Sequence, residues 1–513
     1  MSRFRHAAMS LASGYAAQAV ATLYQLASVP LALHYLSQDL DKFGLWVLVT
    51  NLASYLLLID LGITGAVART LIDHKDEKDK GEYGSVIKTA AVVQFVQGGF
   101  VALGGILLSF LPPGWIHVPA EMVGVFRVLT IGQCLLFGFF FVERILMGML
   151  QAHQRFDVLN YSQILQLIVG FFVQWITFHW RWGLYSFLAA STVCSVLVMA
   201  HNLVWVFKLR LLPPRGAWGR LDGKIFREVF AFGRDLFLLA LGNQFLYASQ
   251  VLIITNTQGL AAAAVWAVAS KTFVLAFQFV SRIFDFSGTA LGEMIVRHEE
   301  DTLRRRFRDV LALTAGAAVF VTVSIAVCNG SFLTVWTKGK VAWPLRNDIL
   351  MGLMVLIRSV SRCYIGLSSY AKQIRTMRWI YLLEGVSFVI VAFAVARPMG
   401  MTGIIVASIL TSLVWSGAYG VHWGARYLAV TRGELAFQSL KPAVDYLLLL
   451  APLAALLWWV TLPLSALPRL VLNALTLSAV GLTLFWRIGL TEELRKDLKG
   501  RFLRFRARRA SLQ

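Results

Sequence analysis

Apolar runs of about twenty residues recur along nearly the whole 513-residue chain, and each is long enough to cross roughly 30 Å of hydrocarbon. Lipid offers no water to backbone N–H and C=O groups, so runs of this length must close their hydrogen bonds internally, as helices. Hydrophobic residues make up 58% of the chain and charged residues 15%, and the mean hydropathy is +0.67. These values lie outside the range of soluble domains. The pattern predicts an all-α polytopic membrane protein with about fourteen spans, near 11–35, 43–68, 85–111, 123–150, 159–180, 183–207, 235–256, 260–287, 309–336, 347–370, 379–396, 401–425, 442–464 and 468–489. No connector is large enough to be a separate soluble domain. Met1 to Met9 is short and basic and leads into a run too long for a signal-peptide core, so span 1 is expected to be an uncleaved anchor.

The cations give an orientation. Alternate connectors hold 32 Lys and Arg on one side and 7 on the other. The positive-inside rule places both termini in the cytoplasm. An even span number agrees. The net charge of +21 therefore reflects cytoplasmic loops, and no nucleic-acid partner is expected. Cys134, Cys194, Cys328 and Cys363 fall inside spans without ligand spacing and read as small buried hydrophobes. The nine histidines form no metal motif, so neither a metal site nor a resident cofactor is expected.

Two arginines break the apolar pattern in the same way. Arg144-Ile-Leu-Met-Gly148 closes span 4, and Arg362-Cys-Tyr-Ile-Gly366 closes span 10, 218 residues later. Leu45-Trp46-Val47 resembles Val265-Trp266-Ala267 at an offset of 220, and Gln25 to Ser28 resembles Leu246 to Ser249 at 221. Each echo pairs span n with span n+6, which predicts two parallel six-helix repeats around a central cavity, with spans 13 and 14 appended. The expected organisation is 1–215 and 216–430 for the two bundles, 431–490 for the added helix pair and 491–513 for a basic tail.

A charge inside a span costs several kcal/mol, roughly 2.5–3.5 on insertion scales, so it normally meets a partner or a wet cavity. Lys88, Arg127, Arg234 and Arg487 lie at span edges and are expected to snorkel. Span 8 carries Lys271, Gln278, Arg282 and Asp285, whose spacing at about 100° per residue puts them on one stripe. Arg358 and Arg362 share a face of span 10. Span 7 adds Asn243, Tyr247 and Gln250, and span 1 adds Gln18, Thr22 and Gln25. Such donors and cations suit a bulky anionic, sugar-bearing solute, with Arg matching phosphate oxygens and Lys a movable point charge. The alternative is that the cations pair with Asp60, Glu143, Asp285 or Glu384 and brace helices. Asp60 and Arg69 flank the end of span 2, and Asp60, Glu143 and Glu384 are candidates for carrying a coupling proton or sodium ion. In the tail, Leu494, Leu498, Phe502, Leu503 and Phe505 alternate with eight basic residues, which predicts an interfacial helix held by anionic phospholipid.

The segment from Gly44-Leu45-Trp46 through Asp60-Leu61-Gly62 to Arg69, with Gly148 to Phe156 at the end of span 4, resembles the Wzx-like polysaccharide flippases of the MATE/oligosaccharidyl-lipid/polysaccharide exporter superfamily. The resemblance implies alternating access that moves an undecaprenyl-diphosphate-linked oligosaccharide between leaflets, for exopolysaccharide, capsule or O-antigen. It implies cationic lumen residues, matched here by Lys271, Arg358 and Arg362, and partners such as a polysaccharide polymerase and a chain-length regulator. Related lipid II flippases place arginines and an aspartate in span 1, and this span 1 has neither. A cation antiporter of the same fold should display carboxylates at the midplane, where this chain has Lys and Arg. A polymerase or ligase would need a sizeable outer loop with catalytic groups, and no such loop or acid/base pair is present.

Overall fold

A computed structural model describes residues 3–36, 39–61, 63–74, 81–112, 114, 117–371, 373–496 and 499–500. Gly62 and the tail positions Leu498, Phe502, Leu503 and Phe505 lie outside the described residues, as does the Arg234 side chain. The described residues are overwhelmingly helical, and thirteen helical segments are long and apolar enough to cross a membrane. One of them, Arg375–Tyr427, has 53 residues, or about 80 Å at 1.5 Å per residue, far beyond a single crossing. It bends sharply at Gly400 (φ 60°, ψ −144°), two residues after Pro398. The left-handed glycine and the missing proline N–H split it into spans 11 and 12, and the total is fourteen.

Contacts divide the chain into two compact units, Met1–Val265 and Trp266–Gln513. In the first, span 3 (Glu82–Ser109) and span 4 (Val123–Ala152) pack most tightly. A Cβ on Gly98 would meet the Gly138 carbonyl oxygen at 2.5 Å, and one on Gly138 would meet that of Gly98 at 2.6 Å. Backbones approach this closely only where neither residue has a side chain. Span 1 lies against span 5 (Phe156–His179), and span 7 (Gly223–Gln258) lies against span 2 (Leu40–Leu56). Tyr55 and Ser249 hydrogen bond across that last contact at 2.5 Å.

In the second unit, span 9 (Glu300–Trp336) is the hub. It packs on span 8, on span 10 (Leu345–Tyr370) and on the pair Lys441–Val460 and Ala466–Leu484. The added helix pair is thereby sealed to span 9 by Val319, Val323, Tyr446, Leu450 and Leu477. Burial of such side chains gives no hydrophobic gain against lipid, so dispersion and close fit hold this contact. Span 8 is interrupted at Ser270, between helices Leu260–Ala269 and Lys271–Val296. The break lies about eleven residues, or roughly 16 Å, from the start of the span, near mid-bilayer depth.

Candidate functional site

The two echoed arginines have the same partner type. Arg144 on span 4 meets Asp60, at the end of span 2, with Nη1 to Oδ1 at 2.7 Å. Arg362 on span 10 meets Asp285 on span 8, with Nη2 to Oδ1 at 2.8 Å. In each unit, then, an arginine ties its span to the aspartate of the span two earlier. The surroundings differ. Leu61 turns the chain left-handed (φ 50°) after Asp60, and Gln97 on span 3 donates to the Ile59 carbonyl at 2.6 Å. Thr64 donates to the Asp60 carboxylate at 2.5 Å, and the Arg144 guanidinium lies 4.3 Å from the Phe141 ring centroid and 5.1 Å from that of Phe140. Side-chain exposures are 14% and 19% for Arg144 and Asp60, against 44% and 33% for Arg362 and Asp285. The first pair is a clamped brace, and the second sits in the open.

Glu143, adjacent to Arg144, is buried and turns to a different network. Trp205 donates its indole N–H to His201 Nε2 (3.1 Å), which leaves the imidazole proton on Nδ1, facing Ser162 Oγ at 2.7 Å. Ser162 donates to Asn202 Oδ1 at 2.7 Å, and Asn202 Nδ2 donates to Glu143 Oε1 at 2.9 Å. Spans 4, 5 and 6 are thus joined by a hydrogen-bond chain of one direction, ending on a carboxylate. Sequence reasoning singled out only Glu143, because the other members are scattered over two spans.

The counterpart in the second unit links spans 10, 11 and 12. Arg358 Nη2 donates to Ser408 Oγ at 2.6 Å and is within electrostatic reach of Glu384. Glu384 is buried, and its Oε1 accepts from Ser412 at 2.6 Å. Arg358 is therefore already engaged with its own bundle. Lys271 and Arg282 differ from it: neither makes a hydrogen bond or ion pair with any described residue. They lie eleven positions apart on one face of span 8, about 16 Å along the axis. Lys271 is half-buried and Arg282 exposed. Asp285 and its partner Arg362 extend the same stripe.

The polar residues of the first unit are less uniform. Gln18 and Gln25 on span 1 are half-buried, with no side-chain hydrogen bond among the described residues. Asn243 and Gln250 turn back into their own helix, to the carbonyls of Leu239 (3.0 Å) and Leu246 (2.8 Å). Tyr247 is 46% exposed. Arg69 is exposed on the helix Ile63–His74 and takes no part in the Asp60 pair.

Several solved structures share this fold. The lipid II flippase MurJ in an inward closed conformation superposes with a TM-score of 0.68 at 11% identity, covering 93% of this chain and 98% of that one. An inward-facing multidrug resistance MATE family transporter of the MOP superfamily gives 0.61 at 14% identity, covering 80% and 98%. The Vibrio cholerae MATE transporter VcmN gives 0.54 at 13%, covering 83% and 97%. No curated protein matches the sequence. The sequence profile described as polysaccharide biosynthesis protein matches residues 36–336, more than half of the 513. The chain, with the fold of MATE transporters and MurJ, belongs to the polysaccharide biosynthesis protein family.

Proposed function

We propose that this protein is a flippase that moves a lipid-linked oligosaccharide, joined through a diphosphate to a polyprenyl carrier, from the cytoplasmic to the outer leaflet of a bacterial inner membrane. The observation that carries the reading is the span 8 stripe. Lys271 and Arg282 hold two cations on one face of an apolar helix, neither in an ion pair with a described residue, and Arg362 joins them through Asp285. An uncompensated ammonium at mid-membrane depth is costly unless an anion or water meets it. A diphosphate supplies such an anion.

In this reading Lys271 captures the diphosphate and Arg282 extends the track. Arg362 exchanges its exposed bond to Asp285 for substrate, whereas Arg358 holds spans 10 and 12 together. Gln18 and Gln25 make no side-chain hydrogen bond among the described residues, and the carrier tail stays in lipid during alternating access. The polysaccharide biosynthesis family supports this choice of cargo over a multidrug cation, which the cationic stripe would repel. Coupling to a proton or sodium gradient would use Glu143 or Glu384, the buried carboxylates at the ends of their networks.

The test is transport in proteoliposomes carrying a fluorescent undecaprenyl-diphosphate oligosaccharide. Wild type should expose the probe to an outside glycosidase, and Lys271→Ala, reconstituted at equal amount, should not. Equal exposure by both proteins would remove Lys271 from the site. Transport of an organic cation by both would favour the antiporter.

A further inference from the structure

A cavity of about 320 Å³ opens at the end of the second unit that carries the connectors 337–344 and 461–465. Its size falls at the lower end of small-molecule sites, roughly 300–1,000 Å³. Its walls also differ from those of the other large clefts. The cleft beneath Phe226 and Phe230 and the one beside Val360 and Val421 are lined mainly by aliphatic and aromatic carbon, as expected of surfaces that acyl chains fill. Asp348, Arg469, Trp343, Trp458, Ser331 and Thr334 line this one.

The two charges are set in place separately. Asp348 is 1% exposed, and its Oδ1 accepts from Asn329 Nδ2 at 2.7 Å. Asn329 is itself fixed by Thr272, which donates to its Oδ1 at 2.9 Å. The Arg469 guanidinium lies 5.2 Å from the Trp458 ring centroid. Its Nη2 donates weakly to the Trp458 carbonyl, at 3.5 Å, while its Nε is buried with no partner. The Trp343 indole N–H stands beside Asp348 and is likewise buried without a hydrogen bond of ordinary geometry. Asp348 and Arg469 line one void and form no ion pair with each other.

A carboxylate and a guanidinium held apart across a cavity disfavour any ligand of a single sign. A simple anion would face Asp348, and a simple cation would face Arg469. A ligand with an ammonium at one end and a phosphate at the other satisfies both, and it adds an acceptor for the unpartnered Arg469 Nε–H. The cavity sits where the connectors begin, with two tryptophans of the kind that anchor membrane interfaces. We propose that it binds the headgroup of a zwitterionic phospholipid, with the primary ammonium on Asp348 and the phosphate on Arg469. Lys271 does not line this site, and its neighbour Thr272 reaches it only through Asn329.

The test is native mass spectrometry of the full chain, delipidated in detergent and titrated with phosphatidylethanolamine or phosphatidylglycerol of the same acyl chains. One phosphatidylethanolamine should bind at least tenfold more tightly than phosphatidylglycerol. Arg469→Gln should remove that preference. Asp348→Asn should also remove it. Because Asp348 is packed inside the unit, Arg469→Gln decides the matter if that variant fails to fold. Soluble O-phosphoethanolamine should displace the bound lipid. Equal retention of the two lipids, an unchanged preference in Arg469→Gln, or displacement by methyl glycosides with no displacement by O-phosphoethanolamine would each overturn the proposal. The last outcome would identify a sugar site instead.

Discussion

The two units of this protein carry the same kind of arginine–aspartate tie, and the second also carries Lys271 and Arg282 on span 8 with no ion pair to a described residue. Arg144–Asp60 and Arg362–Asp285 are parallel ties between spans 2 and 4 and between spans 8 and 10. At the offset of 220 that aligns Trp46 with Trp266, Lys271 corresponds to Asn51, whose amide is spent on the Val47 carbonyl at 2.8 Å. At the offset of 218 that aligns the arginines, Arg358 corresponds to Phe140, one of the rings against Arg144. The ties are thus common to both units, whereas the ammonium stands in one and aromatic clamping in the other. Polar side chains in a membrane brace when they find each other and bind when they do not.

The ties offer the sharpest way to break this comparison. Asp60→Asn removes the counter-charge of a largely enclosed guanidinium and should approach the roughly 3–5 kcal/mol cost of splitting a buried pair. Asp285→Asn opens an exposed pair and should cost about 1 kcal/mol or less. Thermal unfolding in detergent and protein abundance in cells read both. Equal destabilisation would mean that the pairs do the same work. A second contrast sets Lys271→Ala against Asn51→Ala. Loss of a charge-assisted contact worth roughly 1.5–3 kcal/mol predicts a flipping rate about 10- to 150-fold lower for Lys271→Ala. The rate for Asn51→Ala should be unchanged, and a similar loss in both variants would dissolve the asymmetry.

Smaller effects sharpen it. Asn202→Ala interrupts the chain from Trp205 to Glu143 and should destabilise the first unit by about 1–3 kcal/mol, since a buried carboxylate loses its donor. Hydrogen exchange in spans 4 to 6 would locate the effect, and protection equal to wild type would argue that the chain is incidental. Arg282→Ala should be the mildest, a few-fold loss of flipping, because its exposed guanidinium interacts through a more aqueous dielectric than Lys271. A loss as large as that of Lys271→Ala would move the centre of the site towards residue 282.

Span number and placement were legible in the sequence because hydrocarbon thickness imposes a length, and even the break between spans 11 and 12 was marked by Pro398 and Gly400. The span 8 stripe was also legible, since helical spacing alone puts Lys271, Arg282 and Asp285 on one face. Partner choice was not. Arg144 sits beside Glu143 in sequence yet bonds Asp60, because neighbours on a helix point about 100° apart and docking of spans 2 and 4 decides what each meets. The same reason hid Ser162, His201 and Asn202, which become a network only when spans 4, 5 and 6 assemble. Gln250, although at helical spacing with Tyr247, is buried and spent on its own backbone.

The most direct measurement is the binding of undecaprenyl diphosphate, compared with uncharged undecaprenol, to wild type and Lys271→Ala in nanodiscs. Wild type should prefer the diphosphate by tenfold or more, with the preference falling as salt rises, and Lys271→Ala should bind the two lipids alike. A wild type indifferent to the diphosphate, or a preference that survives without Lys271, would contradict the account.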